Sequence, residues 1–172
     1  RGESLSYPSL TLTRRQLCDL ELLLNGGFHP LQGFMDETAC DAVLDRCRLP
    51  DGSVWPIPVV LDVTADLAGK LAVGQKLALR DAEGFMPAAL TVTQVWQPDK
   101  GREALAVFGT DDPAHPGVRY LSERTGSHYV AGTLEGIAAP AHHDFEALWN
   151  TPQELHHHFK KMGWRNVIAF HT

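Results

Sequence analysis

AALTVTQVW, residues 88–96, is the clearest strand in the chain. Thr91, Val92, Thr93 and Val95 are β-branched, the type that packs well on a pleated surface. On its N-terminal side, LAVGQKLALRDAEG (71–84) alternates near Lys76–Arg80 and closes in a hairpin-like turn. Further back, WPIPVVLDV (55–63) has strand composition, and its prolines confine it to a sheet edge or a strand start. On the C-terminal side, Glu103–Phe108 is predicted as another strand and DDPAHPG (111–117) as a loop. Tyr129–Ala131 and Thr133–Ile137 are predicted as short strands around Gly132.

Helical signals precede this β-rich stretch. TRRQLCDLELLLN (13–25) places Leu17, Leu20, Leu23 and Leu24 on one stripe. Thr13 and Gln16 make a capping box, and Asn25-Gly26-Gly27 supplies a stop. The next ten residues, GGFHPLQGFM, predict a tight loop anchored by Phe28, Leu31, Phe34 and Met35. Asp36 caps a second helix to about Arg48, which Pro50-Asp51-Gly52 ends. Two helices followed by five to seven short strands predict an α+β, barrel-like domain.

After Pro140 the character changes. Thr151-Pro152-Gln153-Glu154 opens a helix with a capping box and proline in the first turn. Leu155, Phe159 and Met162 form its apolar face, and Gly163 ends it. WRNVIAF (164–170) reads as a buried, parallel-type strand. Helix then buried strand is the opening of an α/β unit, so the chain is expected to be a fragment reaching into a second domain.

Composition narrows the function classes. The chain has 172 residues, 44% hydrophobic and 21% charged, enough for one core plus the start of another. No apolar run approaches the roughly 18 residues that span a bilayer. RGESLSYP at the start carries no apolar signal-peptide region. A net charge of −6 opposes a nucleic-acid module, which needs a basic surface, but allows one basic pocket for a small anion. Cys18, Cys40 and Cys47 lack CxxC spacing and are predicted to be reduced core residues of a cytoplasmic protein, with Cys40 and Cys47 on one helix face.

Several residues invite sharper readings. His156, His157 and His158 point about 100° apart on a helix, so they cannot converge on one metal. His142-His143 with Asp144 lies in a loop and is read as solvated or capping. Asp111-Asp112 with His115 could serve acid–base or metal chemistry, but the Pro- and Gly-rich context favours a structured turn. Arg14 and Arg15 open a helix, where the dipole does not favour cations, and are read as a solvated face, as partners of acidic neighbours or as facing a partner domain. Trp55, Trp96, Trp149 and Trp164 are expected to be core or interface aromatics.

Four stretches in order carry a resemblance: LTRRQLCDLELLLNGGFHPLQGFM (12–35), DGSVWPIPVVLDV (51–63), AVFGTDDPAHPGV (106–118) and TPQELHHHFKKMGWRNVIAFHT (151–172). Together they resemble the ATP sulfurylase (sulfate adenylyltransferase) family, from about Leu10 to Thr172. The resemblance implies a PUA-like N-terminal domain over residues 1–140. Residues 141–172 would be a linker and the truncated start of a Rossmann-like nucleotidyltransferase domain. It implies a parent enzyme that forms adenosine 5′-phosphosulfate (APS) and pyrophosphate from ATP and sulfate, with Mg²⁺ on the nucleotide. It also implies a homo-oligomer, sometimes with a fused APS kinase domain, and no nucleic-acid or membrane partner.

In that family a Gln-Thr-Arg-Asn motif follows the first strand of the catalytic domain. His171 falls at the glutamine position, which binds sulfate, and Thr172 at the threonine position of the active-site loop. By composition alone the two are a strand end with polar residues. The arginine, the asparagine and two histidines of the family would lie beyond Thr172, so these residues alone are not expected to catalyse. Glutamine offers two N–H donors, whereas a neutral imidazole offers one. His156 likewise stands where many members have arginine. These two departures motivate an alternative, a catalytically impaired scaffold attached to an APS kinase. A third reading, an RNA-binding module, is opposed by the acidic charge.

Overall fold

The computed structural model describes residues 7–138, 145 and 148–170. Its centre is a five-stranded sheet. The strands are β1 (Ser9–Thr11), β2 (Leu61–Val63), β3 (Lys76–Arg80), β4 (Ala88–Trp96) and β5 (His128–Gly136). The spatial order is β1-β3-β4-β5-β2. β1 runs parallel to β3, and the other pairs are antiparallel. β2 lies at an edge, as the prolines before it predict, but of the strand expected over 55–63 only Leu61–Val63 enters the ladder; residues 55–60 form no strand. β3 lies between two neighbours, and its Leu77, Ala78 and Leu79 are all fully buried rather than alternating.

β4 and β5 form the longest ladder, from Ala88 opposite Gly136 to Trp96 opposite Tyr129. The register shifts between Val92 and Gln94, opposite Gly132 and Ala131. A Cβ on Gly132 would sit 2.2 Å from the Thr91 carbonyl oxygen. Glycine is therefore what lets β5 run through as one strand, not the two expected around that residue.

The described residues contain six α-helices: α1 (Arg14–Leu24), α2 (Glu37–Arg46), α3 (Ala65–Ala68), α4 (Lys100–Phe108), α5 (Pro116–Glu123) and α6 (Pro152–Met162). α1 has the predicted capping box, and α2 the predicted cap, with Asp36 accepting from the Ala39 N–H. Leu20 and Leu23 of α1 and Val43 of α2 enter the core beside Leu61, Leu77, Leu79, Leu90 and Tyr129. Phe34 and Met35 anchor the loop between the two helices, with Phe28 and Leu31 packed against the same core.

Three local expectations are corrected. Residues 103–108 belong to helix α4, not to a strand. Asp99 accepts from the Arg102 N–H, and Gly109 stops the helix in the left-handed region. Between those signals Arg102, Glu103, Ala104 and Leu105 are good helix formers, and their short apolar run does not decide the period. The loop expected to Gly117 ends at His115, whose Nδ1 accepts from the Gly117 N–H to cap α5, with Pro116 in its first turn. Residues 165–170 form no ladder and are exposed, because no described strand lies beside them. The three-residue β1 and four-residue α3 were not anticipated; both are too short for a periodic signal.

Of the cysteines, Cys40 alone is buried; Cys18 and Cys47 are exposed. Cys47 caps α2 in the left-handed region, which takes it off the helical face it would share with Cys40.

Candidate functional site at the C-terminal helix

α6 is built by its ends. Glu154 Oε2 accepts from the Thr151 N–H (2.7 Å) and hydroxyl (2.9 Å), and Thr151 Oγ1 accepts from the Glu154 N–H (3.3 Å). The bonds from Thr151 hold the Glu154 carboxyl below its usual range. Lys160 and Lys161 stand in the last turn, where the dipole favours cations. Beyond Gly163, Trp164 stacks on Phe159 with ring centroids 6.0 Å apart and meets the edge of His158 at 5.7 Å.

The three histidines fan out as the helical period requires. His158 is engaged by Trp164. His157 lines an open concavity of about 670 Å³ with His158, Gln153, Lys161 and Asn150. Gln153, His157 and Lys161 are four apart, so they form one polar row on the helix. No residue of α6 is buried. Leu155, Met162, Trp164 and Val167 are exposed, and Ile168 and Phe170 are 92% and 86% exposed. An apolar face thus stands without a covering layer among the described residues. His171 and Thr172, predicted for sulfate binding and the active-site loop, lie outside the described residues, as do His142, His143 and Asp144.

A second cluster, which the sequence reading missed, joins α1 to β2 and to the turn before β5. Gln16 is 2% exposed. Its Oε1 accepts from the Thr13 N–H (2.9 Å), and its Nε2 donates to the Asp62 carbonyl and to Asp62 Oδ1 (both 2.9 Å). Arg15 donates to Asp62 Oδ1 (2.6 Å) and Asp19 Oδ2 (2.7 Å), and the Gly126 N–H donates to Asp62 Oδ2 (2.7 Å). Burial raises the Asp19 carboxyl, and Arg15 offsets part of that. The signal available was the Thr13–Gln16 capping box, but its second use as an anchor for Asp62 depends on a contact 46 residues away.

Nearby, the Tyr129 hydroxyl donates to Glu103 Oε2 (2.7 Å). Burial raises the Glu103 carboxyl and, with the adjoining Glu103 charge, the Tyr129 hydroxyl. The Cys40 thiol is pushed up to about 12 by burial and by Glu103, so it is no nucleophile near neutrality. Among the described residues every buried side-chain polar atom has a partner. Asp62, bonded to Arg15, Gln16 and the Gly126 N–H, holds α1, β2 and the turn before β5 together.

Asp112 accepts from the Ala114 N–H (2.8 Å), a turn role, and His115 caps α5. Trp55 meets Phe28 edge-on, and Trp96 meets Tyr129 likewise. Trp149 and Trp164 are about half exposed. Among the described residues no three His, Cys, Asp or Glu side chains gather as a metal site, so none of them is assigned Mg²⁺. No helix among them is long and apolar enough to cross a membrane.

Comparison with known proteins adds to this geometry. Residues 1–139 match the model of a family described as a PUA-like domain. A sulfate adenylyltransferase from Mycosarcoma maydis is 48% identical over 175 residues, covering 100% of this chain and 30% of the relative. One from Kluyveromyces lactis is 46% identical, covering 99% of this chain and 34% of the relative. The chain therefore spans about a third of the length of these curated relatives. Among solved structures, a hexameric APS kinase from Thiobacillus denitrificans superposes with a TM-score of 0.70 at 37% identity, over 95% of this chain and 28% of that one.

Proposed function

This chain belongs to the PUA-like domain family, and from that premise we propose that it is the N-terminal part of a sulfate adenylyltransferase. The parent enzyme would join sulfate to the α-phosphate of ATP, releasing pyrophosphate and forming APS, or run the reverse. The observation that carries this reading is the match of essentially the whole chain, at 46–48% identity, to one third of proteins named for that activity.

Residues 1–140 would be the PUA-like domain, contributing scaffold, packing and oligomer contacts. Residues 141–172 would be the linker and the opening of the catalytic domain. The family match over residues 1–139 supports that division. His171 would bind sulfate and Thr172 would belong to the active-site loop. If residues 164–170 enter a sheet in the parent enzyme, the loop after that strand would suit these roles, because its backbone N–H groups could meet an anion. Such a transfer depends on holding the reactants in line and aiming donors at the phosphate and sulfate oxygens. Mg²⁺ would travel with ATP; no described residue set fits it, and no step is assigned through it. A cytoplasmic setting and a homo-oligomer belong to the same proposal.

The APS kinase name of the structural neighbour favours a second reading, in which this region is a sulfurylase-like scaffold beside a kinase domain. One experiment separates the two: ATP formation from APS and pyrophosphate by the intact protein and its His171→Gln variant, at pH 6 and pH 8. The enzyme reading expects turnover in both proteins, with a pH dependence in the parent that the variant flattens. Absence of turnover in both, with APS phosphorylation intact, overturns it in favour of the scaffold.

A further inference from the structure

The hairpin of α4 and α5 is closed on itself. Ala104, Val118 and Leu121, with Phe108 against them, form an apolar cluster separate from the main core. Lys100 Nζ, at the start of the hairpin, donates to the Leu121 carbonyl (2.9 Å), the Thr125 carbonyl (3.0 Å) and Thr125 Oγ1 (2.8 Å) at its end. One ammonium thus ties the two ends together.

Its attachment to the rest of the molecule is of another kind. Arg102 reaches Asp41 (2.6 Å) and Asp45 (2.8 Å) on α2, all three side chains at least 40% exposed. Glu103 accepts from Tyr129 of β5, and the Gly126 N–H is held by Asp62 of β2. Arg15 of α1 approaches the Tyr120 hydroxyl at 3.4 Å. In the seam between α4 and α2 lies a concavity of about 180 Å³, bordered by Cys40, Leu44, Trp96, Asp99 and Glu103. An underfilled seam forfeits dispersion contacts, so the polar contacts carry a large share of the closure.

We infer that the α4–α5 hairpin is a latch-held flap, which opens as a unit about residues 98–99 and 124–126 while the sheet stays folded. Units that open below the global unfolding free energy have few buried apolar contacts to the rest of the molecule; here the Arg102 attachment is exposed and screened by salt, and the Tyr129–Glu103 bond is buried and is not. Opening uncovers Glu103, the Tyr129 hydroxyl and the Cys40 thiol, and closing buries them.

Hydrogen exchange on the intact protein tests this, read by mass spectrometry for α4–α5 against β4–β5. In the closed-flap scheme the α4–α5 amides exchange as one group, at least about tenfold faster than the protected β4–β5 amides. Raising sodium chloride from about 0.05 M to about 0.5 M speeds only the hairpin, by roughly two- to fivefold. Arg102→Gln, a change at an exposed position, gives the same acceleration at low salt and abolishes the salt response. Tyr129→Phe keeps the ring but leaves the Glu103 carboxylate without its donor, and speeds the hairpin on the order of tenfold. Thiol labelling of Cys40 follows the hairpin rate. Hairpin amides that exchange together with β4–β5, at one rate in both salts and unmoved by Arg102→Gln, would overturn the inference. Cys40 labelling that tracks the sheet would do the same.

Discussion

Both carboxylate oxygens of Asp62 are occupied: Oδ1 by Arg15 and Gln16, Oδ2 by the Gly126 N–H. Its side chain is 10% exposed, so water cannot replace those partners when it is removed. Asp62→Ala removes one of the two bonds made by the buried Gln16 amide, whose bond to the residue-62 carbonyl survives, and strands the Gly126 N–H. The expected loss is about 2–3 kcal/mol in denaturant unfolding, discounted for Arg15, which is a third exposed and partly rehydrates. Gly126 is constrained for a steric reason as well, since a Cβ there would lie 2.1 Å from the Val63 carbonyl oxygen. Gly126→Ala therefore forces the β2 backbone aside and is expected to cost at least about 2 kcal/mol by the same assay. Glu103 sets a pH dependence of unusual sign. Burial raises its folded pKa above the ordinary 4.5, so the folded state holds its proton more tightly than the unfolded state. The stability this contributes is fully present below pH 4.5 and is lost as pH rises through the folded value. Glu103→Gln should remove that component. The stability difference, parent minus variant, should fall between about pH 4 and the raised folded value, then flatten. A difference that rises with pH in that window would show that Glu103 is held ionised in the fold.

At the scale of elements, the two capping boxes offer a matched comparison. Thr13 and Gln16 open α1, which buries Leu20 and Leu23; Thr151 and Glu154 open α6, which buries nothing. Thr13→Ala should cost about 1 kcal/mol of global stability. Thr151→Ala should leave the unfolding midpoint of residues 7–138 unchanged and reduce helix content near 222 nm, because an 11-residue helix with no buried residue depends largely on its ends. Equal effects of the two changes on the midpoint would mean that α6 is packed into the folding unit. The same local signals explain what the sequence made legible. α1, α2 and α6 carry side-chain caps beside a clear apolar stripe, and β4 carries a β-branched run. α4 carries only a five-residue apolar-rich stretch bracketed by Asp99 and Gly109, so composition favoured a strand where the caps decide for a helix. α5 hides behind Pro116-Gly117, a pair that reads as a loop unless His115 is recognised as its cap. The Gln16–Asp62–Gly126 network was illegible because its parts lie 46 and 64 residues apart. His171 and Thr172 gain their proposed roles only through the resemblance; two polar residues after an apolar run specify no chemistry.

For the whole molecule, the deciding question is what covers the apolar side chains of residues 155–170. Residues 7–138 bury the main core around the sheet, whereas Val167 is half exposed and Ile168 and Phe170 are almost fully exposed. A run of this composition fits a strand buried on both faces, and such a strand requires partners alongside it. The curated relatives are about three times the length of this chain, which is more than enough to supply them. Under the proposed reading, amides 165–170 exchange freely in the excised 172-residue chain. In the intact protein they are slowed by at least about a hundredfold, as ladder bonds form to neighbouring strands. Trp164, half exposed here, should then shift its emission to the blue in the intact protein relative to the excised chain. The exchange of β4 and β5 should be the same in both, because their core is complete without that segment. Fast exchange of 165–170 in both proteins would mean that the segment enters no sheet, and the assignment of residues 141–172 to the opening of an α/β catalytic domain would fail with it. Slowed exchange there, with no turnover from APS and pyrophosphate, would keep the architecture and leave the scaffold reading as the account of its use.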